Sequence, residues 1–266
     1  MESKVKGLLT VVVFVALYVT SSRADSYNFP LAGSGNYNFF GNELNNSAGN
    51  YISNVLQNLP AGDSVLKFDA AGQGFYAAQK SDTLNPGEGV AVMHVGGGSI
   101  LTISGTPAAA QPPLTLSPGQ FRLVGRRAGG LGPSTYDELV GVPPVEGSTL
   151  LLWSVALQDF VSYAFHNNQW TGPGGSTNAP QVPQGDSAFV ILQPPMTVTN
   201  TPGGQLIIVW TAPRTWALEE ADNAGGPWTT VTSATSPFTI PTGPQSQKFY
   251  RLHGTVSWQT ISLYRQ

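Results

Sequence analysis

Cysteine is absent from all 266 residues. Disulfides, thiolate metal sites and thiol nucleophiles are therefore excluded, and every domain must hold by packing alone. Histidine is scarce: His94, His166 and His253 stand far apart in sequence. None has the i, i+4 partner of a helical zinc site, so no metal is expected. His94 lies among apolar neighbours in VAVMHVGGG and reads as a residue on a strand face. Charge is scarce too: Asp, Glu, Lys and Arg make up 10% of the chain, against about a quarter in an average domain. No GxSxG elbow, HExxH pair, phosphate loop or dinucleotide fingerprint occurs, so neither a cofactor nor a catalytic residue is expected.

What is abundant is turn chemistry. The chain holds 31 glycines and 21 prolines beside 41% apolar residues. High Gly and Pro could also mean disorder, but frequent apolar alternation and a small net charge argue for a packed core. The expectation is an all-β protein with many turns.

The first 24 residues differ from the rest. Lys4 and Lys6 precede GLLTVVVFVALYVT, and Ser22-Arg23-Ala24 places small residues at the −3 and −1 positions of a cleavage site. A secretory signal peptide cleaved after Ala24 is expected. Its apolar run falls short of the ~20 residues that span a bilayer. No later stretch is long and apolar enough, so no membrane span is expected in the mature chain. Without Glu2, Lys4, Lys6 and Arg23, nine basic and fourteen acidic residues remain, a net charge of −5. Such a surface does not attract nucleic acid.

Between the leader and residue 193 the sequence resembles itself. GNYNFFG (35–41) matches GQFRLVG (119–125); GDSVLKFDAAGQGF (62–75) matches GSTLLLWSVALQDF (147–160); GEGVAV (87–92) matches GDSAFV (185–190). The offsets are 84, 85 and 98, in the same order, which points to an internal duplication. Each copy reads as strand, short helix, hairpin, strand. In the first copy Val65, Leu66 and Phe68 form one hairpin arm, DAAGQG the turn with glycine at positive φ, and Phe75 and Tyr76 the return. Ile52, Val55, Leu56 and Leu59 give one helical face, capped by Asn50 or Ser53; Tyr136, Leu139 and Val140 take the matching place.

The expected organisation follows: a signal peptide over 1–24, a β domain over 25–106, a Pro/Ala-rich linker over 107–118, a second β domain over 119–193, and a third unit over 194–266. The third unit carries QLIIVW, TWALEEA, PWTTVT, PFTI, KFYRLH and TISLYRQ, the strand spacing of a small sandwich of immunoglobulin or fibronectin type III kind. Trp210, LEEAD, GPWTTV, SPFTI and FYRL resemble a C-terminal fibronectin-type-III-like module found in uncharacterised secreted modular β proteins of environmental Gram-negative bacteria. The paired units with NPGEGV resemble the domains preceding that module there; the second copy departs from the pattern with PQGDSA. The resemblance implies secretion and modular β architecture, and no activity.

A glycosidase needs only two carboxylates flanking one bond. Glu88 and Asp186 hold matching positions and should lie in separate domains; Glu219 and Glu220 are neighbours on a strand and point to opposite faces. Solvated turn and edge carboxylates are the plainer account. Aromatics carry more promise, because flat rings pack against sugar C–H faces. YAFHNNQWTGPGG brings Tyr163, Asn167, Asn168, Gln169 and Trp170 together, partly in a long loop (167–180) that the first copy lacks. A sugar site there requires an exposed Trp170; the plainer reading has it covering the core. Trp153, Trp210 and Trp228 read as core residues in strands. The expected function is non-enzymatic: a secreted or cell-surface modular protein for adhesion or ligand binding, with a polysaccharide or a cell-surface protein as partner. A purely structural envelope protein and an extracellular glycan-active enzyme are the alternatives.

Overall fold

The computed structural model describes residues 24–33, 35–202, 205–210, 216–223, 226–240 and 248–254. The expected signal peptide, apart from Ala24, and the expected last strand, TISLYRQ, lie outside the described residues. The rest is strands and turns, as the scarcity of charge and the glycine and proline content demand.

The first half runs β1 (Asp25–Leu31), β2 (Asn36–Gly41), β3 (Leu44–Asn45), α1 (Ile52–Val55), β4 (Ser64–Asp69), β5 (Gly74–Ala77), β6 (Gly89–His94) and β7 (Ser99–Pro107). The second runs β8 (Phe121–Val124), α2 (Tyr136–Val140), β9 (Ser148–Ser154), β10 (Asp159–His166), β11 (Gln169–Thr171) and β12 (Ala188–Leu192). The main sheet of the first half has the order β2-β6-β4-β5, and that of the second β8-β12-β9-β10-β11. Strand for strand the two orders coincide, with β11 added at the edge of the second. The first half also has a small sheet, β1-β7-β3. All pairs are antiparallel.

Both short helices form, each for its own reason. α1 buries Ile52 and Val55 but ends after one turn at Leu56. Its N-cap is Tyr51, without a side-chain cap bond, rather than Asn50 or Ser53. Asn50 is committed elsewhere: its Oδ1 accepts from the Asn46 N–H at 2.8 Å. α2 begins with a capping box between Thr135 and Glu138 and ends on Gly141 at φ 89°. That pairing satisfies two free N–H groups at once.

Residues 108–118 are less a free linker than a strap. Leu114 and Leu116 pack against the second core, and the Leu114 N–H donates to the Val140 carbonyl at 2.6 Å. Three apolar cores result. One lies within the first half around Phe40, Leu84 and Ile103. Another lies within the second around Leu139, Leu150 and Val190. The third is shared: Phe39, Leu66, Phe75 and Ala91 of the first half meet Phe121, Leu123, Phe189 and Ile191 of the second. Alternation along β2 explains the division, since Phe39 faces the shared core while Phe40 faces the first.

The C-terminal unit contains β13 (Met196–Asn200), β14 (Leu206–Trp210), β15 (Trp216–Ala221), β16 (Thr229–Thr230), β17 (Phe238–Thr239) and β18 (Phe249–Gly254). Two three-stranded sheets, β13-β14-β17 and β16-β15-β18, enclose Ile208, Leu218 and Leu252. Trp216 ties this unit to the second half: its indole Nε1–H donates to the Gly119 carbonyl at 2.8 Å, beside Phe121. Trp228 is not the core strand residue expected. It lies outside the strands with the Arg251 guanidinium 4.3 Å from its ring centroid.

Candidate functional site at the junction of the two halves

The two main sheets meet where β2 ends in Gly41 and β8 is followed by Gly125. A Cβ on Gly41 would come within 2.7 Å of the Gly125 Cα, and one on Gly125 within 2.8 Å of the Gly41 Cα. Only glycine permits that approach. Around this point the contacts come in reciprocal pairs. The Gly41 N–H donates to the Gly185 carbonyl at 2.7 Å, and the Gly125 N–H to the Gly87 carbonyl at 3.1 Å. Phe40 bridges Asp186, and Val124 bridges Glu88. In each pair the partners hold matching positions in the two halves.

Two glutamines repeat the pattern. Gln73 (φ 54°) and Gln158 (φ 49°) sit in the turns of the two middle hairpins. Gln73 Oε1 accepts from the Phe121 N–H at 2.8 Å; Gln158 Oε1 accepts from the Tyr37 N–H at 3.2 Å. The Nε2 of each donates back into its own turn, to Ala70 and Val155 respectively. The turn residue at positive φ is thus Gln73, not the glycine expected, and its side chain holds the first strand of the opposite half. The Asp69 side chain takes up the Ala71 N–H at 2.9 Å, as its place in the turn suggested. Replacing Gln158 by Ala leaves the Tyr37 N–H without this acceptor. We expect a loss of about 1–3 kcal/mol, measured by denaturant unfolding, with Gln158→Glu retaining part of it.

Between the first hairpin and β8 the junction opens into a cleft of about 860 Å³. Its walls include Lys67, Phe68 and Tyr76 from β4 and β5, Glu88 before β6, and Arg122 and Arg127 from the second half. The cations are held differently. Lys67 Nζ donates to the Thr83 carbonyl at 2.7 Å and pairs with Glu88 at 3.5 Å. Arg127 Nη2 donates to the Pro112 carbonyl at 2.8 Å, and its stem lies against Gly87. Burial weakens its hold on the proton, though a guanidinium stays charged. Among the described residues the two other arginines form ion pairs, Arg126 with Glu138 at 2.8 Å and Arg251 with Glu219 at 2.7 Å. Neither Arg122 nor Arg127 forms one with a described carboxylate, although the Glu88 charge favours the protonated Arg127; the Nε atoms of Arg122, Arg126 and Arg127 are all enclosed without an acceptor.

The opposite side of the junction is acidic and closed. Glu43 is buried; its carboxylate accepts from the Gly185 N–H at 2.8 Å and the Gly132 N–H at 3.4 Å. Burial raises its pKa. Burial and the nearby Glu43 charge push Asp186 up to about 7. Asp186 is therefore neither the solvated turn carboxylate expected nor remote from the other half, because the two units share a core. A second buried pair lies at the far end of β6. His94 Nδ1 stands 2.7 Å from Asp63 Oδ2, both side chains at most 1% exposed. Nε2 stands 2.6 Å from the Gly97 carbonyl and 3.5 Å from Ser99 Oγ. The serine does not make this a nucleophilic triad. A carbonyl only accepts, so Nε2 carries a proton, and the bonds to Gly97 and Asp63 raise the imidazole pKa. With Nε2 already carrying a proton toward the Gly97 carbonyl, the ring takes none from Ser99.

The expected sugar site is assembled but turned inward. Tyr163, Asn167, Asn168, Gln169 and Trp170 share one hairpin, in which Asn167 (φ 51°) and Asn168 (φ 60°) make a two-residue turn. Positive φ at both positions is what such a turn requires. The segment expected as a long loop thus contains β11, which places Gln169 and Thr171 outward and Trp170 inward. Trp170 is 7% exposed and packs on Tyr136 and Phe165, with centroids 5.5 and 5.3 Å away. Tyr163 is half-buried with its ring against Gly172. No indole face is left to stack on a sugar, so the plainer core reading of Trp170 holds. Among the described residues no helix is long and apolar enough to cross a membrane, and no three His, Asp or Glu side chains gather as a metal site. Compared with protein-family models, curated proteins and solved structures, the chain has no significant match.

Proposed function

We propose that the mature chain is an exported, modular, non-enzymatic binding protein of the cell surface or extracellular space, whose ligand seats in the junction cleft. One observation carries this reading. In a chain poor in charge, two arginines that form no ion pair among the described residues line a cleft that both halves build. An unpaired charge at a concave surface is costly unless something else uses it. Export rests on the leader sequence. The reading of the two halves as copies of one ancestral unit is supported by their matching strand orders and by the reciprocal Gln73 and Gln158 contacts. The C-terminal unit is read as a fibronectin-III-like spacer or docking module, supported by its two three-stranded antiparallel sheets.

The test is occlusion. Ala71 lies at the exposed tip of the first hairpin and lines the cleft. Mature wild-type protein and Ala71→Trp are to be titrated calorimetrically against a panel of soluble polysaccharides. Saturable binding by wild type and its loss in the variant are expected. Equal binding by both, or none by either, contradicts the reading.

A further inference from the structure

We propose that the junction cleft recognises a carboxylate-bearing saccharide, a uronate unit, through the guanidinium groups of Arg122 and Arg127. The inference rests on the binding reading above and names the ligand's chemistry. Three features of the lining select it.

The first is guanidinium charge that no ion pair among the described residues takes up, with Glu88 acting on Arg127 only through space. A planar guanidinium holds a carboxylate through paired N–H donors. Arg126 and Arg251 are already engaged in that way with Glu138 and Glu219. Arg122 and Arg127 are not, and with Nε enclosed in each, the Nη ends are what they present to a ligand. Arg127 already commits Nη2 to the Pro112 carbonyl, which fixes the group in place and leaves Nη1.

The second feature is the presence of acceptors beside these donors. Asp69 and Glu88 line the same cleft. A phosphate or sulfate cluster would meet repulsion from both. A ligand with one carboxylate and several hydroxyls meets less of it: its single charge faces the arginines, and hydroxyl donors face Asp69 and Glu88. Glu88 is partly engaged, accepting from the Asn85 N–H at 2.8 Å, yet a carboxylate retains further acceptor capacity.

The third feature is aromatic. Phe68 and Tyr76 line the cleft, and Tyr76 is 38% exposed. A ring face beside polar groups suits the C–H face of a pyranose. It is of little use to an inorganic anion.

The experiment is calorimetric titration of the mature chain with a short homo-oligomer of a hexuronic acid. The same oligomer with its carboxyl groups reduced to alcohols is run beside it. Arg122→Gln and Arg127→Gln are titrated in parallel, each checked for an unchanged thermal transition, and Arg122→Lys keeps the charge while removing the planar fork. The expected result is saturable binding of the acid form, none of the reduced form, and a loss of about tenfold or more in each Gln variant, the size of one charge-assisted hydrogen bond. Arg122→Lys should recover part of the loss, and raised ionic strength should weaken binding. Equal binding of acid and reduced forms, abolished by Ala71→Trp, overturns the carboxylate assignment while the cleft reading stands. Binding of the acid form unaffected by both Gln variants overturns the site. Binding only of inorganic phosphate, of a sugar phosphate or of an acidic peptide overturns the saccharide, and no binding at all overturns the inference.

Discussion

Replacing Phe189 by Ala is expected to cost about 3–5 kcal/mol, the range for deleting a buried phenylalanine, and about 10 °C in thermal midpoint for a chain of this size. The ring is fully buried at the centre of the shared core. The rings of Phe68, Phe160, Phe121, Phe75 and Phe39 stand 4.9, 5.3, 5.9, 6.0 and 6.3 Å away. Those five come from both halves, so no single element can collapse into the space. The matching position in the first half is Ala91, also fully buried. One large and one small residue fill the middle of the interface together. The loss should therefore appear in both halves at once. Amide exchange in β4 and β9 checks this: both should speed up in Phe189→Ala. Acceleration confined to the second half would mean that the halves are not joined as one core.

The second large effect concerns His94 and Asp63. Truncating Asp63 to Ala removes the carboxylate that holds the buried His94 ring and the Val95 N–H, and about 3–5 kcal/mol should be lost, as for other broken buried pairs. The pair also sets a pH dependence. The folded-state pKa of His94 lies above its unfolded value, near 6.5. Its contribution is fully present below about pH 6.5 and is lost as pH rises through the folded value. Asp186 works in the same direction. Its pKa rises from 3.8 unfolded to about 7 folded, so the native state holds more protons across that window and loses stability as pH climbs through it. Glu43, raised by burial beside Asp186, adds to the same trend. Thermal midpoints should be higher at about pH 5.5 than at about pH 8.5. Asp186→Asn should remove part of that difference by raising the midpoint at the alkaline end. A midpoint that increases with pH in the wild type would contradict both assignments.

Much of the architecture was legible in the residues. Period-2 alternation and glycine turns located the strands, and the three matching blocks fall on strands that hold the same places in two sheets. The glutamine clamps were written there as well: Gln73 and Gln158 both fall eleven residues after the glycine that opens the second block. That coincidence is visible in the sequence, but its meaning depends on a partner strand more than 45 residues distant along the chain in one case and more than 115 in the other. Periodicity reports the face a residue occupies and is silent about which element covers that face. The same limit hid the shared core, because Phe39 and Phe189 look like ordinary strand residues until the sheets are packed.

The cleft had a signal of its own. Arg122, Arg126 and Arg127 are three of only nine basic residues after position 24 and lie within six positions. Where the second half has Arg122, Arg126 and Arg127, the first has Asn38, Asn42 and Glu43. Positive charge that one half carries and the other lacks marks a difference in use, whereas the shared glycines and aromatics mark the common scaffold. The Trp170 segment illustrates the opposite error. Tyr, Asn, Gln and Trp in a row suit a sugar site by composition, but a two-residue Asn-Asn turn forces strand pairing after it, and strand alternation then buries the indole.

The most direct measurement is a crystal structure of the mature chain with a uronate oligosaccharide. The account predicts a carboxylate held by Arg122 and Arg127 at 2.7–2.9 Å, the usual charge-assisted range, with the sugar ring beside Tyr76. An oligosaccharide bound elsewhere, with the junction cleft empty, would contradict it.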